Sequence, residues 1–177
     1  MNNLLYRLIY RITQKFYYYH ALQQLKRAHL DNVVIGSEQI KHFEIRHPEN
    51  LFIGNQTAIT GDCFINAYGG VKIGNYCHIA KGLTIYSHNH NWKSESFIPY
   101  DEKSIKKPVY IGNCVWIGAN VTISPGAEIE DGVIISTGSV VFGHIPRCAI
   151  IRGNPAQIVG YRDINMFNLL EKEGKFR

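Results

Sequence analysis

The sequence predicts an all-β chain wound as a parallel β-helix of hexapeptide repeats, with a short helix before it, one protruding loop and a helix after it. Three observations carry this. Aliphatic residues recur at every sixth position from Ile111 through Ile117, Ile123, Ile129 and Ile135 to Val141. The same register holds earlier at Ile53, Ile59, Ile65 and Val71 and, after a slip of two residues at Tyr68-Gly69-Gly70, resumes at Ile73, Ile79 and Ile85. Turn-forming pairs follow the aliphatic residue, as in Ile73-Gly74-Asn75 and Ile111-Gly112-Asn113. A period of six fits neither a 3.6-residue helix nor a simple alternating strand. It fits a triangular coil in which each hexapeptide supplies one short strand and a turn, and stacked coils bury the aliphatic residue.

The expected coil runs over 31–160, with roughly five coils of eighteen residues between about 35 and 146 and Ile35 opening the series. At Gly74, Asn75, Gly112 and Asn113 the bend calls for residues that tolerate positive φ. Ile85 and Ile111 are 26 positions apart, not a multiple of six, and the polar stretch 87–110 between them is a loop thrown out from the scaffold. Loops on rigid scaffolds carry a disproportionate share of binding and catalytic groups. This one begins Ser87-His88-Asn89-His90-Asn91-Trp92.

Residues 1–30 form the first segment, where Leu4, Leu5, Leu8, Ile9, Ile12 and Phe16 fall at helical spacing with Arg7, Arg11 and Lys15 on another face. Its apolar side is expected to cap the open end of the coil; lying on an anionic membrane surface is the alternative. Residues 161–177 read as a charged helical tail covering another surface of the prism.

Composition sets outer limits. The 177 residues are 45% hydrophobic and 19% charged, enough for one domain with a modest appendage. Neither a spanning helix nor a secretory leader is legible, so a cytoplasmic location, peripheral at the inner membrane if the first helix binds lipid, is expected. The net charge of +5 admits an anionic partner. Nucleic acid is disfavoured because the basic residues are dispersed. Cys63, Cys77, Cys114 and Cys148 are too widely spaced for a zinc site and read as small buried side chains.

Four motifs carry a family resemblance: Ile111 through Asn120, Ile123-Ser124-Pro125-Gly126-Ala127, Gly138-Ser139-Val140-Val141 and Gly153-Asn154-Pro155-Ala156. Over about 50 to 160 the chain resembles the hexapeptide-repeat acyltransferases, in particular the galactoside, maltose and surface-polysaccharide O-acetyltransferases. The resemblance implies a left-handed parallel β-helix, an exception to the usual right-handed crossover. It also implies a homotrimer with active sites between neighbouring prisms, acetyl-CoA as donor and a sugar or glycan hydroxyl as acceptor. No metal is expected, because no third ligand of suitable spacing accompanies His88 and His90.

By that resemblance the catalytic base, eleven positions after Ile79, is His90. His88 is the runner-up, orienting His90 or contacting the acceptor. A histidine suits the task because a sugar hydroxyl is a poor nucleophile at neutral pH and needs a base that titrates nearby. Phe64-Ile65-Asn66 resembles a motif whose asparagine binds the acceptor, which makes Asn66 the acceptor residue unless it is a corner turn; Trp92 joins it from the loop. Trp116, Gly118, Ala119, Thr137, Gly138 and Ser139 would line the groove for the pantetheine arm. The chain departs from the pattern at Phe142-Gly143-His144, Gln157 and Gly160, leaving Arg147, Arg152 and Arg162 to meet the donor's phosphates. Two other readings stay open: an N-acetyltransferase of a nucleotide-linked amino sugar, and a non-catalytic scaffold or a zinc site built from His78, His88 and His90.

Overall fold

In the computed structural model, which describes residues 3–36 and 40–176, three parallel sheets close into a left-handed β-helix of about six coils. Positions 1, 2, 37–39 and 177 lie outside the described residues. The first face stacks His29–Leu30, Leu51–Ile53, Val71–Ile73, Val109–Ile111, Glu128–Ile129 and His144–Ile145. The second stacks Val34–Ile35, Ala58–Ile59, His78–Ile79, Trp116–Ile117, Ile134–Ile135 and Ala149–Gly153, and Ala156–Tyr161 returns antiparallel on its last strand. The third stacks Phe43–Arg46, Cys63–Asn66, Leu83–Tyr86, Thr122–Ile123 and Val140–Val141.

The register places like on like: Ile53 over Ile73 and Ile111, Ile59 over Ile79 and Ile117, Ile65 over Ile85 and Ile123. All of these are buried, so the six-residue period is the period of the core. The coil opens one strand earlier than Ile35, at His29–Leu30, because His29 and Leu30 pair with Phe52 and Ile53. That start had no aliphatic hexad to reveal it, and together with the last strand, Ala149–Gly153, it extends the expected five coils toward six.

The glycines at the corners act differently from the expectation. Gly74 and Gly112 are not in the left-handed region; the residues two further on, Tyr76 and Cys114, are, at φ 55° and 56°. The glycines are required because successive coils touch there: a Cβ on Gly74 would lie 2.6 Å from the Gly112 carbonyl, and one on Gly118 would lie 2.6 Å from the Thr137 amide nitrogen. The neighbouring polar residues form a ladder, with Asn75 Oδ1 accepting from Asn55 N–H at 2.8 Å and Asn113 Oδ1 from Asn75 N–H at 2.9 Å. It ends where Asp131 Oδ1 accepts from Asn113 N–H at 2.6 Å.

The first helix, α1 (Asn3–Leu25), caps the coil with a face other than the expected one. Ala21 and Leu25 are buried and Tyr17 and Tyr18 pack against the core. Leu4, Leu5, Leu8, Ile9, Ile12 and Phe16 are instead 53% to 76% exposed. The second helix, α2 (Ile164–Lys172), starts at Asp163, whose side chain accepts from Met166 N–H at 3.0 Å. It lies against the second face, where Phe176 stacks on Tyr76 with ring centroids 4.1 Å apart.

Candidate active site

The loop is a short hairpin. His88–His90 pairs antiparallel with Ser104–Lys106, so the tip carries residues 91–103. Its root is locked to the preceding coil: Ser87 N–H donates to the Asn66 carbonyl at 3.1 Å, Ser87 Oγ–H donates to the same carbonyl at 2.8 Å, and Gly69 N–H donates to Ser87 Oγ at 2.9 Å. A side chain on Gly69 would collide with the Ser87 backbone, and Gly70 sits at φ 100°, so each glycine of the two-residue slip has its own reason. In the tip, Asn91 Nδ2–H donates to Asp101 Oδ2 at 2.7 Å and Asn91 N–H to the Lys103 carbonyl at 3.1 Å.

His88 and His90 stand at this root with ring centroids 6.2 Å apart, bordering a cavity of about 280 Å³ with Tyr86, Asn89, Thr122, Ser124 and Pro125. His88 is half-buried, and its Nδ1 is buried with no hydrogen-bond partner among the described residues. Burial, reinforced by the nearby His90 and His47, holds its imidazole below the ordinary histidine range and therefore favours the neutral form. The Tyr68 ring meets His88 edge-on at 5.2 Å and lies under the Lys106 ammonium at 4.6 Å. His90 is exposed and stacks on Tyr100. The neutral His88 imidazole, at the root of the hairpin beside a pocket lined by the hydroxyl groups of Tyr86, Thr122 and Ser124, can hydrogen-bond and orient a bound alcohol.

Asn66 is buried on the strand beside Tyr86, and its Oδ1 accepts from Tyr68 N–H at 3.2 Å. That bond is a corner-turn use and engages only the amide oxygen. Trp92 is exposed on the hairpin under the Lys93 ammonium. Trp116 is on another face: it lines a cavity of about 650 Å³ between the second face and α2, with Tyr76, His78, Cys114, Phe167 and Phe176. Gly118, Ala119, Thr137, Gly138 and Ser139 form the neighbouring corner. There Gly138 N–H donates to the Ala119 carbonyl at 2.8 Å, Ser139 is buried, and the space beside Gly138 is open. The histidine cavity and the small-residue corner border the same third face: Thr122, which lines the cavity, donates its N–H to the Ser139 carbonyl of the corner at 2.9 Å.

The arginines divide. Arg147 binds Glu171 at 2.7 Å, Asn168 at 3.0 Å and Asp131 at 3.3 Å, and its guanidinium lies 5.0 Å from the Phe167 ring centroid. Arg162 Nε–H donates to the Gly132 carbonyl at 2.6 Å. Both hold α2 in place, whereas Arg152 is exposed on the terminal hairpin. Tyr100, Tyr68, Tyr86 and Ser124 border the two histidines without being site candidates by sequence, although Ser124 lies in one of the family motifs. Tyr100 in particular meets His90 only through the hairpin, which no periodicity announces. Among the described residues no three or more His, Cys, Asp or Glu side chains gather as a metal cage.

The model of the bacterial transferase hexapeptide, six repeats, matches residues 108–143. The chain is 35% identical over 116 residues to the "Putative lipopolysaccharide biosynthesis O-acetyl transferase WbbJ" of Escherichia coli K12, covering 62% of this chain and 59% of that one. It is 30% identical over 139 residues to the "Putative acetyltransferase YJL218W" of Saccharomyces cerevisiae, covering 78% of this chain and 68% of that one. A galactoside acetyltransferase solved in complex with coenzyme A superposes with a TM-score of 0.60 at 25% identity, over 73% of this chain and 64% of that one. The chain belongs to the hexapeptide-repeat acetyltransferase family. It spans between two fifths and two thirds of the length of the first curated relatives it matches.

Proposed function

We propose that the chain is an acetyl-CoA-dependent O-acetyltransferase acting on a sugar hydroxyl of a bacterial surface polysaccharide or its precursor, with His90 as general base. The observation that carries this is the cavity at the hairpin root, where His88 and His90 face Tyr86 and Ser124 on a family scaffold. The named lipopolysaccharide relative supports the acceptor class, and the coenzyme A complex of the galactoside enzyme supports the donor.

In this reading His90 takes the acceptor proton as the hydroxyl oxygen attacks the thioester carbonyl. The new C–O bond forms, the C–S bond breaks, and the departing thiolate receives the proton from His90. A backbone N–H stabilises the tetrahedral oxyanion. The neutral His88 and the Asn66 amide bind and orient the acceptor, with Trp92 beside it. Trp116, Gly118, Ala119, Thr137, Gly138 and Ser139 receive the pantetheine arm; the open space at Gly138 fits close approach to the backbone. The reading places the active sites between neighbouring copies of a homotrimer, as the family resemblance implies. Arg152 is the arginine free of α2 for the phosphates, and Arg147 and Arg162 reach them only if α2 yields.

The test is calorimetric titration with acetyl-CoA, molar mass by light scattering in parallel, and an acceptor panel of hydroxyl and amino sugars. Micromolar binding at one site per subunit of a trimer, with transfer to a hydroxyl sugar, is expected. His90→Ala is expected to keep acetyl-CoA binding and lose about 10²–10⁴-fold in turnover, with His88→Ala retaining more. Absence of acetyl-CoA binding overturns the donor, exclusive transfer to an amine overturns the acceptor, and equal mild losses in both variants overturn the base.

A further inference from the structure

The first helix carries two apolar faces, and the prism uses only one. Tyr17, Tyr18, Ala21 and Leu25 meet the core. At about 100° per residue, Leu4, Leu5, Leu8, Ile9, Ile12, Phe16 and Tyr19 lie nearly opposite them, and every one of these is exposed. Residues 4–12 are exposed all round, so the front half of the helix stands clear of the coil.

The flanks of this stripe are chemically distinct. Arg7, Arg11 and Lys15, one helical turn apart and all exposed, run along one edge. Tyr6 and Tyr10 run along the other, stacked with centroids 6.3 Å apart. Residues 1–30 contain no aspartate or glutamate, whereas they hold Arg7, Arg11, Lys15, Lys26 and Arg27. Among the described residues no helix is long and apolar enough to cross a membrane.

We infer that α1 docks in the plane of an anionic lipid surface, its Leu4–Phe16 stripe seated at the headgroup boundary and Arg7, Arg11 and Lys15 on the lipid phosphates. An apolar stripe with a cationic edge and amphipathic tyrosines is what such an interface takes up. The charge pattern selects lipid over a second copy. Two α1 helices packed stripe to stripe would bring two cationic rows into one contact with no carboxylate on either helix. This inference is independent of the catalytic reading, because it uses no residue of the site.

The experiment is co-sedimentation of the full chain with unilamellar vesicles of phosphatidylcholine alone and of phosphatidylcholine with roughly one third phosphatidylglycerol, a mixture that adds the negative surface such helices respond to. At least about tenfold stronger binding to the anionic vesicles is expected, and it should fall when salt is raised from about 0.1 M to about 1 M, where the screening length drops from about 10 Å to about 3 Å. Each of Arg7→Gln, Arg11→Gln and Lys15→Gln should weaken binding by about fivefold. Leu8→Glu with Ile12→Glu should abolish it while circular dichroism and acetyl-CoA binding stay unchanged. The inference is overturned by failure to bind anionic vesicles, by binding that survives Leu8→Glu with Ile12→Glu, or by a fall in molar mass in that variant, which would make the stripe a contact between copies.

Discussion

The imidazole of His90 lies flat on the ring of Tyr100, with centroids 3.9 Å apart and planes 14° from parallel. The stack fixes the plane of an otherwise exposed ring, and a proposed base works only when its lone pair is aimed. Tyr100→Ala is therefore expected to lower kcat about tenfold to a hundredfold with acetyl-CoA affinity unchanged, and Tyr100→Phe to restore most of it. Steady-state kinetics beside calorimetry checks both; a Tyr100→Ala enzyme with wild-type kcat would show that the stack positions nothing.

The corner glycines separate two physical costs. Gly74→Ala drives a Cβ into the next coil and is expected to cost about 1–3 kcal/mol. Gly138→Ala meets open space at φ 72° and should cost only the backbone strain, about 1 kcal/mol. Urea denaturation measures the difference, with Gly74→Ala the less stable.

Burial pushes the Cys77 thiol up to about 11, and the Cys114 thiol likewise to about 11. Cys63 and Cys148 are raised for the same reason. A thiol raised in this way stays protonated and unreactive at mildly alkaline pH. In the folded protein at about pH 8, all four cysteines should react slowly with Ellman's reagent, and all four should react promptly in guanidinium.

His88 ties stability to pH. Its folded value lies below the ordinary histidine value, so acidification protonates the unfolded chain first. The stabilisation is fully present above the ordinary range and is lost as pH falls through that range toward the lowered folded value. Urea midpoints should drop between about pH 7 and pH 5, and His88→Asn should flatten the drop. A slope unchanged by the substitution would assign the acid limb to other groups.

Arg147 pins α2 through Glu171, Asn168 and Phe167. Arg147→Ala should speed amide exchange across 164–172 and leave the prism strands unchanged, with acetyl-CoA affinity unaltered. A large loss of that affinity would return Arg147 to the donor's phosphates.

The sequence by itself determined the coil, because one side chain in six must fill a narrow prism and the ladder repeats that demand at Ile111, Ile117, Ile123, Ile129 and Ile135. It also located the hairpin, since a polar stretch out of register has nowhere to go but outward. What it left undecided were relations between residues that share no period. The His90–Tyr100 stack depends on where residues 91–103 fold back. The glycine at 74 depends on how close the coil at 112 comes, a distance absent from any local propensity. The face on which α1 caps the core was also settled only in three dimensions. Its helical period marks Leu4 through Phe16 as apolar, but the open coil accepts Tyr17, Tyr18, Ala21 and Leu25, which stand where the chain enters the prism. The stripe that looks like core by periodicity is left facing outward, since only packing decides which of two apolar faces finds a partner.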